Sequence, residues 1–159
     1  MTKLIWTMKL TILNSQETDM DFNALEQAIN KHVSSVATVE TQQVLDGELN
    51  VIFADEDLMI ELNQKYRKKS YLTDVLSFSY LESRNEQEKL LGEIYISLKK
   101  AKSQAEQKGN DLETEINYLI IHGYLHIFGF RHDTDKQEAE MNKEEDWILA
   151  EISDKLVIR

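Results

Sequence analysis

The sequence predicts an α+β protein in which a small mixed sheet of four strands packs with about five helices. Two observations support this fold class: short segments alternate apolar and polar residues, and longer segments repeat apolar residues at helical spacing. The two kinds of segment are unevenly mixed along the chain. With 159 residues and 42% hydrophobic content, the chain is long enough to bury a core, and we expect residues 1–159 to form one domain.

The first two predicted elements are a strand and a helix. The strand is indicated by a period-two series of apolar residues, Leu4, Trp6, Met8, Leu10 and Ile12. The helix is indicated by residues at helical spacing, Phe22, Leu25, Ile29, His32, Val33 and Val36. Asp19 or Asp21 is its expected N-cap. His32 lies at the border of the apolar stripe, where a lone histidine is usually structural or exposed, so we assign it no role.

The middle of the chain predicts three strands and one helix. After the turn signal Asp46-Gly47, the segment ELNVIFA predicts the second strand. Asp55 is the expected N-cap of a helix with Leu58, Met59, Leu62 and Tyr66 on its apolar side. The segments TDVLSFSYL and LLGEIYISL predict the third and fourth strands, and the polar segment ESRNEQEK between them predicts a loop.

Three helices are predicted in the last third of the chain. The first covers Lys99 to Lys108 and ends at Gly109. Asn110 and Glu113 form a capping-box pattern for the second, which runs through NYLIIHGYLHIF and ends at Gly129. Asp135 with Glu138 opens the last helix. Its expected core side consists of Met141, Ile148, Ile152 and Leu156.

Composition excludes several classes of protein. The chain has no cysteine, so disulfides and thiolate metal sites are excluded, and a metal must be bound by His, Asp, Glu or backbone groups. No apolar run is long enough for a membrane span, and the N-terminal segment lacks the continuous apolar core of a signal peptide. We therefore expect a cytoplasmic protein that does not act at a membrane.

The net charge of −11 argues against generic coating of nucleic acid, because phosphate contacts require local cations. One segment, KYRKKS, has such cations at Lys65, Arg67, Lys68 and Lys69. On charge alone, the favoured interpretation is a solvated helix end, where cations offset the helix dipole. A basic groove that binds phosphate is the alternative.

The segment HGYLHIFGFRH contains three of the four histidines of the chain. His122 and His126 are four residues apart on a predicted helix, so both side chains project from one face. Gly129 permits a helix-ending turn, which brings His132 back toward them. Three histidines with an open fourth position are a known zinc arrangement, and we expect one Zn²⁺ per chain at this site. Asp133 and Asp135 are candidates either for the fourth position or for orienting an imidazole.

The spacing also matches the metzincin proteases, whose motif is H-E-x-x-H-x-x-G-x-x-H. In these proteases the residue after the first histidine is the glutamate that serves as general base. Here that residue is Gly123. Without the carboxylate, water-driven peptide hydrolysis lacks its proton acceptor, so the pattern favours the metal and argues against the protease.

These residues resemble the YbeY family of rRNA-maturation endoribonucleases. The family motif H-G-x-L-H-L-x-G-Y-D-H is matched from His122 to His132. Two further blocks, LNQKYRKKSYLTDVLSFSYLE and LLGEIYIS, are similar to the family's L-N-x-x-Y-R-x-x-x-x-P-T-D-V-L-S-F-P and L-G-D-I-x-I-S. The resemblance covers about residues 49–149. Leu72 and Ser79 replace the family's prolines, and Arg131 replaces the aspartate before the last histidine.

The resemblance implies a zinc-dependent endoribonuclease that cleaves single-stranded RNA. It implies a role in 3′-end maturation of small-subunit rRNA and in ribosome quality control, with ribosomal or small-subunit assembly proteins as partners and no action on DNA. Arg67 matches the functional arginine of the family, which now favours a phosphate-binding role for it. Two alternatives stay open: a metalloprotease-like hydrolase, and a non-catalytic assembly factor in which zinc only braces the fold.

Overall fold

The computed structural model describes residues 8–14, 18–36, 46–85 and 87–152. Within these ranges the chain forms four strands and five helices. The strands are β1 (Met8–Leu13), β2 (Gly47–Ala54), β3 (Val75–Ser79) and β4 (Leu90–Ser97). The helices are α1 (Asn23–Val36), α2 (Glu56–Arg67), α3 (Leu98–Lys108), α4 (Leu112–Ile127) and α5 (Asp135–Ile152). The predicted α+β class is confirmed.

The four strands form one mixed sheet in the order β1-β2-β4-β3. β1 pairs with β2, and β2 with β4, in parallel. β3 is antiparallel to β4, with Val75 opposite Ile96 and Ser79 opposite Gly92. Among the described strands, β3 is therefore an edge strand with a single strand neighbour.

The sheet separates two apolar clusters. On one face, α2 packs through Met59 against Leu76 and Ala54. On the other face, α1 packs on β1, α4 covers β4 residues such as Ile94 and Ile96, and α5 packs against both helices. α4 is the central helix, since ten of its sixteen residues are buried. Both faces of the sheet are thus covered, as parallel strands require.

The helix ends test the predicted caps. Asp55 accepts a hydrogen bond from the Leu58 amide, and Gly109 ends α3 with a φ of 73°, so both predictions are confirmed. The capping box at Asn110 was wrong by one residue: α4 begins at Leu112, and its N-cap is Asp111, which accepts from the Thr114 amide. Asp111 is favoured because its carboxylate reaches the third amide of the helix, as an N-cap side chain must.

Other predictions hold in part. Asp21 accepts a hydrogen bond from the amide of Asn23, the first residue of α1. Val36, predicted on the apolar side of that helix, is 49% exposed because it is the last helical residue. Leu4, Trp6 and Leu156 lie outside the described residues. Of the helices in the described ranges, none has the length and apolar character needed to cross a membrane.

Candidate metal centre

The central helix α4 places His122 and His126 in its last two turns. The helix has a continuous buried side because Ile116, Leu119 and Ile120 contact the core. His122 and His126 are only partly buried. Residues four apart lie on one side of a helix, so the two imidazoles face the same opening. Their ring centroids are 4.5 Å apart.

Gly129 produces the turn that brings His132 back. Its φ of 97° lies in the left-handed region that favours glycine. The Phe130 amide donates to the Leu125 carbonyl at 3.0 Å, and the Gly129 amide donates to the His126 carbonyl at 3.1 Å. This pair of hydrogen bonds is the Schellman motif, which satisfies the last carbonyls of a helix. The structure therefore forms the helix–glycine–histidine turn that the sequence predicts.

The three histidines lie together. One ligand atom from each of His122, His126 and His132 falls within 4.8 Å of the other two. The His132 ring centroid is 5.5 Å from that of His122 and 4.8 Å from that of His126. Such a group can bind a metal ion. It offers three protein ligands, which leaves a further coordination position for water or substrate.

Hydrogen-bond partners of Nδ1 orient two of the imidazoles. His122 Nδ1 lies 3.2 Å from Oε2 of Glu145 on α5, and His126 Nδ1 lies 3.0 Å from the Phe130 carbonyl. A carbonyl oxygen only accepts, so His126 Nδ1 carries the proton, and we assign the proton of His122 to Nδ1 in the same way. The two Nε2 atoms, 3.0 Å apart, then turn lone pairs toward each other. A cation between them resolves that repulsion, so the donor set fits a metal ion.

Burial and, to a smaller extent, the neighbouring His122 and His132 rings together lower the pKa of His126 to about 4. The backbone hydrogen bond to Phe130 acts in the opposite direction. His126 is therefore neutral at physiological pH. A neutral imidazole is the form that binds a metal.

An open cleft of about 730 Å³ contains the three histidines. All five residues of β3 line it, together with Tyr66 and Arg67 from the end of α2. The cleft thus follows the outer edge of β3, between α2 on one face of the sheet and α4 on the other. Its volume is far larger than a metal ion needs and lies in the range of small-molecule sites.

Charged side chains of both signs line the cleft. The cations are Arg67 and Arg131, and the anions are Asp74 and Asp133. Asp74 is already engaged, because its oxygens accept from the Val75 amide at 2.7 Å and from Gln104 at 3.1 Å. The structure therefore brings Arg67 into the same cleft as the histidines, as expected from the resemblance.

Sequence reasoning missed Glu145. Asp133 and Asp135 were the candidates for orienting an imidazole, yet the described contacts give that position to Glu145, which is fully buried. A signal was available in the sequence: Glu145 stands four residues after Met141 and three before Ile148, on the buried side of α5. A carboxylate in the middle of a buried stripe indicates a polar partner on the facing helix.

Gly123 has a packing role as well as a place in the motif. A Cβ at this position would lie 2.9 Å from Cγ2 of Ile94, which is fully buried in β4. α4 therefore approaches the sheet more closely than any larger residue would permit. The glutamate that the metzincin proteases have here does not fit without a shift of the Ile94 side chain or of the helix.

The fold and site together define a class: a small α+β protein with a three-histidine cluster that can bind a metal at the C-terminal end of a central helix, beside an open cleft. Comparison with known proteins identifies the family. The model of the family "Endoribonuclease YbeY" matches residues 11–153. The chain therefore belongs to the YbeY endoribonuclease family.

Relatives and a solved structure agree with this assignment. The chain is 38% identical to the Endoribonuclease YbeY of Alkaliphilus oremlandii, over 92% of the chain and 98% of the relative. It is 33% identical to that of Caldanaerobacter subterraneus, over 87% and 94%. The solution structure of TM1509 from Thermotoga maritima is similar with a TM-score of 0.59 and 28% identity, covering 90% of this chain and 88% of that one.

Proposed function

We propose that this protein is a zinc-dependent endoribonuclease that cleaves single-stranded RNA in the 3′-end maturation of small-subunit rRNA and in ribosome quality control. The observation that carries the proposal is the cleft, which combines three metal-binding histidines with the guanidinium groups of Arg67 and Arg131. Family membership supplies the substrate class, since the relatives are named endoribonucleases. The proposal treats residues 1–159 as one domain, active in the cytoplasm with ribosomal or assembly proteins as partners.

The metal is assigned to His122, His126 and His132, with one Zn²⁺ per chain. Zinc in such a site supplies Lewis acidity toward a phosphoryl oxygen or a water molecule. The protein's part is orientation: Glu145 and the Phe130 carbonyl hold the Nδ1 protons, which directs both Nε2 atoms inward. Imidazoles that are oriented in advance lose less free energy to rearrangement when the metal binds.

Arg67 is assigned to the scissile phosphate. Its planar guanidinium can donate two parallel hydrogen bonds to phosphate oxygens and offset the charge that develops there. It is the last residue of α2, and the fully buried Asn63 fixes the chain that follows through a 2.9 Å bond to the Tyr71 carbonyl. The base of Arg67 is thus anchored, while its exposed side chain extends into the cleft.

The experiment that tests the proposal is digestion of end-labelled single-stranded RNA by metal-loaded, nuclease-free protein, with analysis of the product ends and casein as a parallel substrate. We expect RNA cleavage, loss of cleavage in His126→Ala, and intact casein. Absence of cleavage by wild-type protein, with assembly defects in folded metal-site variants, would instead favour the zinc-braced assembly factor. Casein hydrolysis would favour the protease.

Arg67→Ala separates a chemical role from a structural one. Because the side chain is exposed, the melting temperature should stay near the wild-type value while most cleavage is lost. Arg67→Lys should restore only part of the rate, because an ammonium lacks the planar fork. Lys69→Ala is the matched control, a nearby cation that is not among the cleft residues. A large drop in stability with normal cleavage would make Arg67 a structural residue.

The protease alternative is weakened by packing. Gly123→Glu restores the missing carboxylate, but its Cβ would lie 2.9 Å from Ile94 Cγ2, so the variant should be destabilised and should not hydrolyse casein. A new anion beside the metal should also repel the RNA backbone and reduce cleavage. Zinc-dependent casein hydrolysis by a folded variant would show that only the general base was missing.

A further inference from the structure

Tyr66 is an unusual member of the cleft. Its side chain is 55% exposed although it lines the same cleft as the histidines and Arg67. An aromatic side chain left largely in water at a polar site has forgone the free energy of burial. Tyr66 lies next to Arg67, the candidate phosphate-binding residue. A bound substrate could therefore cover the exposed face of the Tyr66 ring.

A row of aromatic rings supports Tyr66 from the sheet. Its ring centroid is 4.9 Å from that of Phe78, in an edge-to-face arrangement, and Phe78 is 5.7 Å from Tyr95 in the same geometry. The Tyr95 hydroxyl donates to Glu93 at 3.3 Å, which anchors the inner end of the row on β4. The ring of Tyr66 is therefore positioned before any ligand arrives, so little conformational entropy is lost on binding.

The charges around this ring suit an anionic partner. Four cations, Lys65, Arg67, Lys68 and Lys69, fall within residues 65–69 of a chain whose net charge is −11. The Lys65 ammonium lies 5.2 Å from the centroid of the Tyr66 ring. Cations combined with an exposed aromatic ring are the arrangement by which proteins bind single strands, with phosphates on the cations and a base on the ring.

We propose that Tyr66 is a stacking site for an unpaired nucleobase of an RNA strand whose adjacent phosphate contacts Arg67. The proposal rests on the proposed function for the identity of the ligand, and it adds a specific base-binding subsite. Stacking requires a base with an accessible face, which a base inside a duplex lacks. The subsite therefore contributes to selection of single-stranded over double-stranded RNA, and it accepts all four bases because each has a π-face.

The chain provides a matched control in Tyr71. It is 52% exposed, and the Lys69 ammonium lies 5.9 Å from its ring, so its exposure and cation contact are similar to those of Tyr66. Tyr71 is not among the residues that line the cleft. If any exposed aromatic ring beside a cation contributed to RNA binding, substitutions of Tyr66 and of Tyr71 would both weaken it. A base-stacking site predicts weaker binding only when Tyr66 is substituted.

The test uses a short single-stranded RNA that contains the fluorescent base 2-aminopurine, whose emission falls on stacking. Binding to metal-loaded protein is measured at low temperature to limit cleavage, and electrophoresis checks that the RNA strand stays intact. Tyr66→Leu should abolish the quenching and weaken binding about 5- to 150-fold. Tyr66→Trp should retain both, and Tyr71→Leu should match wild type. A duplex of the same sequence should show no quenching.

Two results would overturn the stacking site: wild-type quenching and affinity in Tyr66→Leu, or an equal loss in Tyr71→Leu. Thermal melting of each variant checks that the fold is intact, and Tyr66→Phe, which keeps the ring, should behave as wild type. The cleavage assay is read separately. Cleavage without Tyr66-dependent stacking would contradict only the subsite, and stacking without cleavage would contradict only the proposed nuclease activity.

Discussion

The two ends of the central helix α4 each have a buried carboxylate with a partly exposed partner. At the N-terminal end, Glu115 pairs with Lys108 at 2.9 Å, and the side chains are 0% and 21% exposed. At the C-terminal end, Glu145 pairs with His122 at 3.2 Å, with side-chain exposures of 1% and 21%. The burial and geometry of the two pairs are nearly the same, but their chemical outcomes differ.

The two pairs differ in how the partner of the carboxylate, Lys108 or His122, uses its polar atoms. The Lys108 ammonium bonds to both oxygens of Glu115 and lies 4.8 Å from the centroid of the Tyr118 ring, so its polar group is used inside the protein. His122 has a second nitrogen, which faces His126 and the cleft. A buried carboxylate is thus matched by an internal partner at one end, and at the other it orients an imidazole that we propose as a metal ligand.

The largest expected effect is at the C-terminal end. His126→Ala removes one of the three imidazoles, so the bound zinc should fall from one per chain to none, and RNA cleavage should be lost with it. Elemental analysis of the purified variant measures this directly. Asp133→Asn, which changes another cleft residue, should keep its zinc. One tightly bound zinc in His126→Ala would place the metal elsewhere.

At the N-terminal end, Glu115→Ala should act on stability alone. It leaves the Lys108 ammonium without its buried partner, and because that ammonium is partly exposed to water we expect a loss of about 2–3 kcal/mol, at or below the lower end of the range for broken buried pairs. Denaturant unfolding measures the loss. Zinc content of the folded variant should be unchanged, and a parallel loss of zinc would show that the two ends are not independent.

Glu145→Gln sharpens the comparison. The amide oxygen can still accept from His122 Nδ1, so the ring keeps its orientation but loses the negative charge that makes it a stronger ligand. Zinc affinity, measured by competition with a chelating dye, should fall about 10- to 100-fold. The free energy of unfolding of metal-free protein should change less than in Glu115→Ala. Unchanged zinc affinity would remove Glu145 from the metal site.

The smallest expected effect is on the pH dependence of metal-free protein. The pKa of His126 is lowered to about 4 in the fold, so between that value and about 6.5 the unfolded state binds more protons. The free energy of unfolding should therefore decrease as the pH falls through this window, by about 1–2 kcal/mol, because partial exposure of the ring to solvent reduces the full effect of the shift. His126→Asn should flatten the profile there. If the stability of that variant had the same pH dependence as the wild type, groups other than His126 would be responsible for it.

Much of this architecture is local enough to be predicted from sequence. Asp55 begins α2 and Gly109 ends α3 through contacts within a few residues, and the turn at Gly129 follows from one helix end. The contact of Glu145 with His122 spans 23 residues and depends on how α5 packs on α4. Periodicity identifies the buried side of a helix but not the partner it meets, which is why the orienting carboxylate was sought at Asp133 and Asp135.

His32 illustrates the same limit. Its spacing placed it at the edge of a stripe, and the structure shows it buried, with Nδ1 2.8 Å from the Tyr124 hydroxyl and Nε2 2.7 Å from Glu144. Burial raises the pKa of the Tyr124 phenol well above its ordinary value, and nearby Glu144 adds to this, so the hydroxyl stays protonated. Of the two alternatives, structural or exposed, the contacts favour the first, but the partners of His32 on two other helices were beyond local reasoning.

Within the described residues, β3 has no strand neighbour on its outer edge, which has a consequence for self-association. Its five residues border the cleft, and an unpaired strand edge is a template on which another chain can add a strand. Proteins limit this hazard with short edge strands and nearby charges. Here β3 is the shortest of the described strands, and Arg67, Arg131, Asp74 and Asp133 surround the same cleft. The charges that we propose for contact with an RNA backbone therefore also disfavour the addition of another strand at this edge.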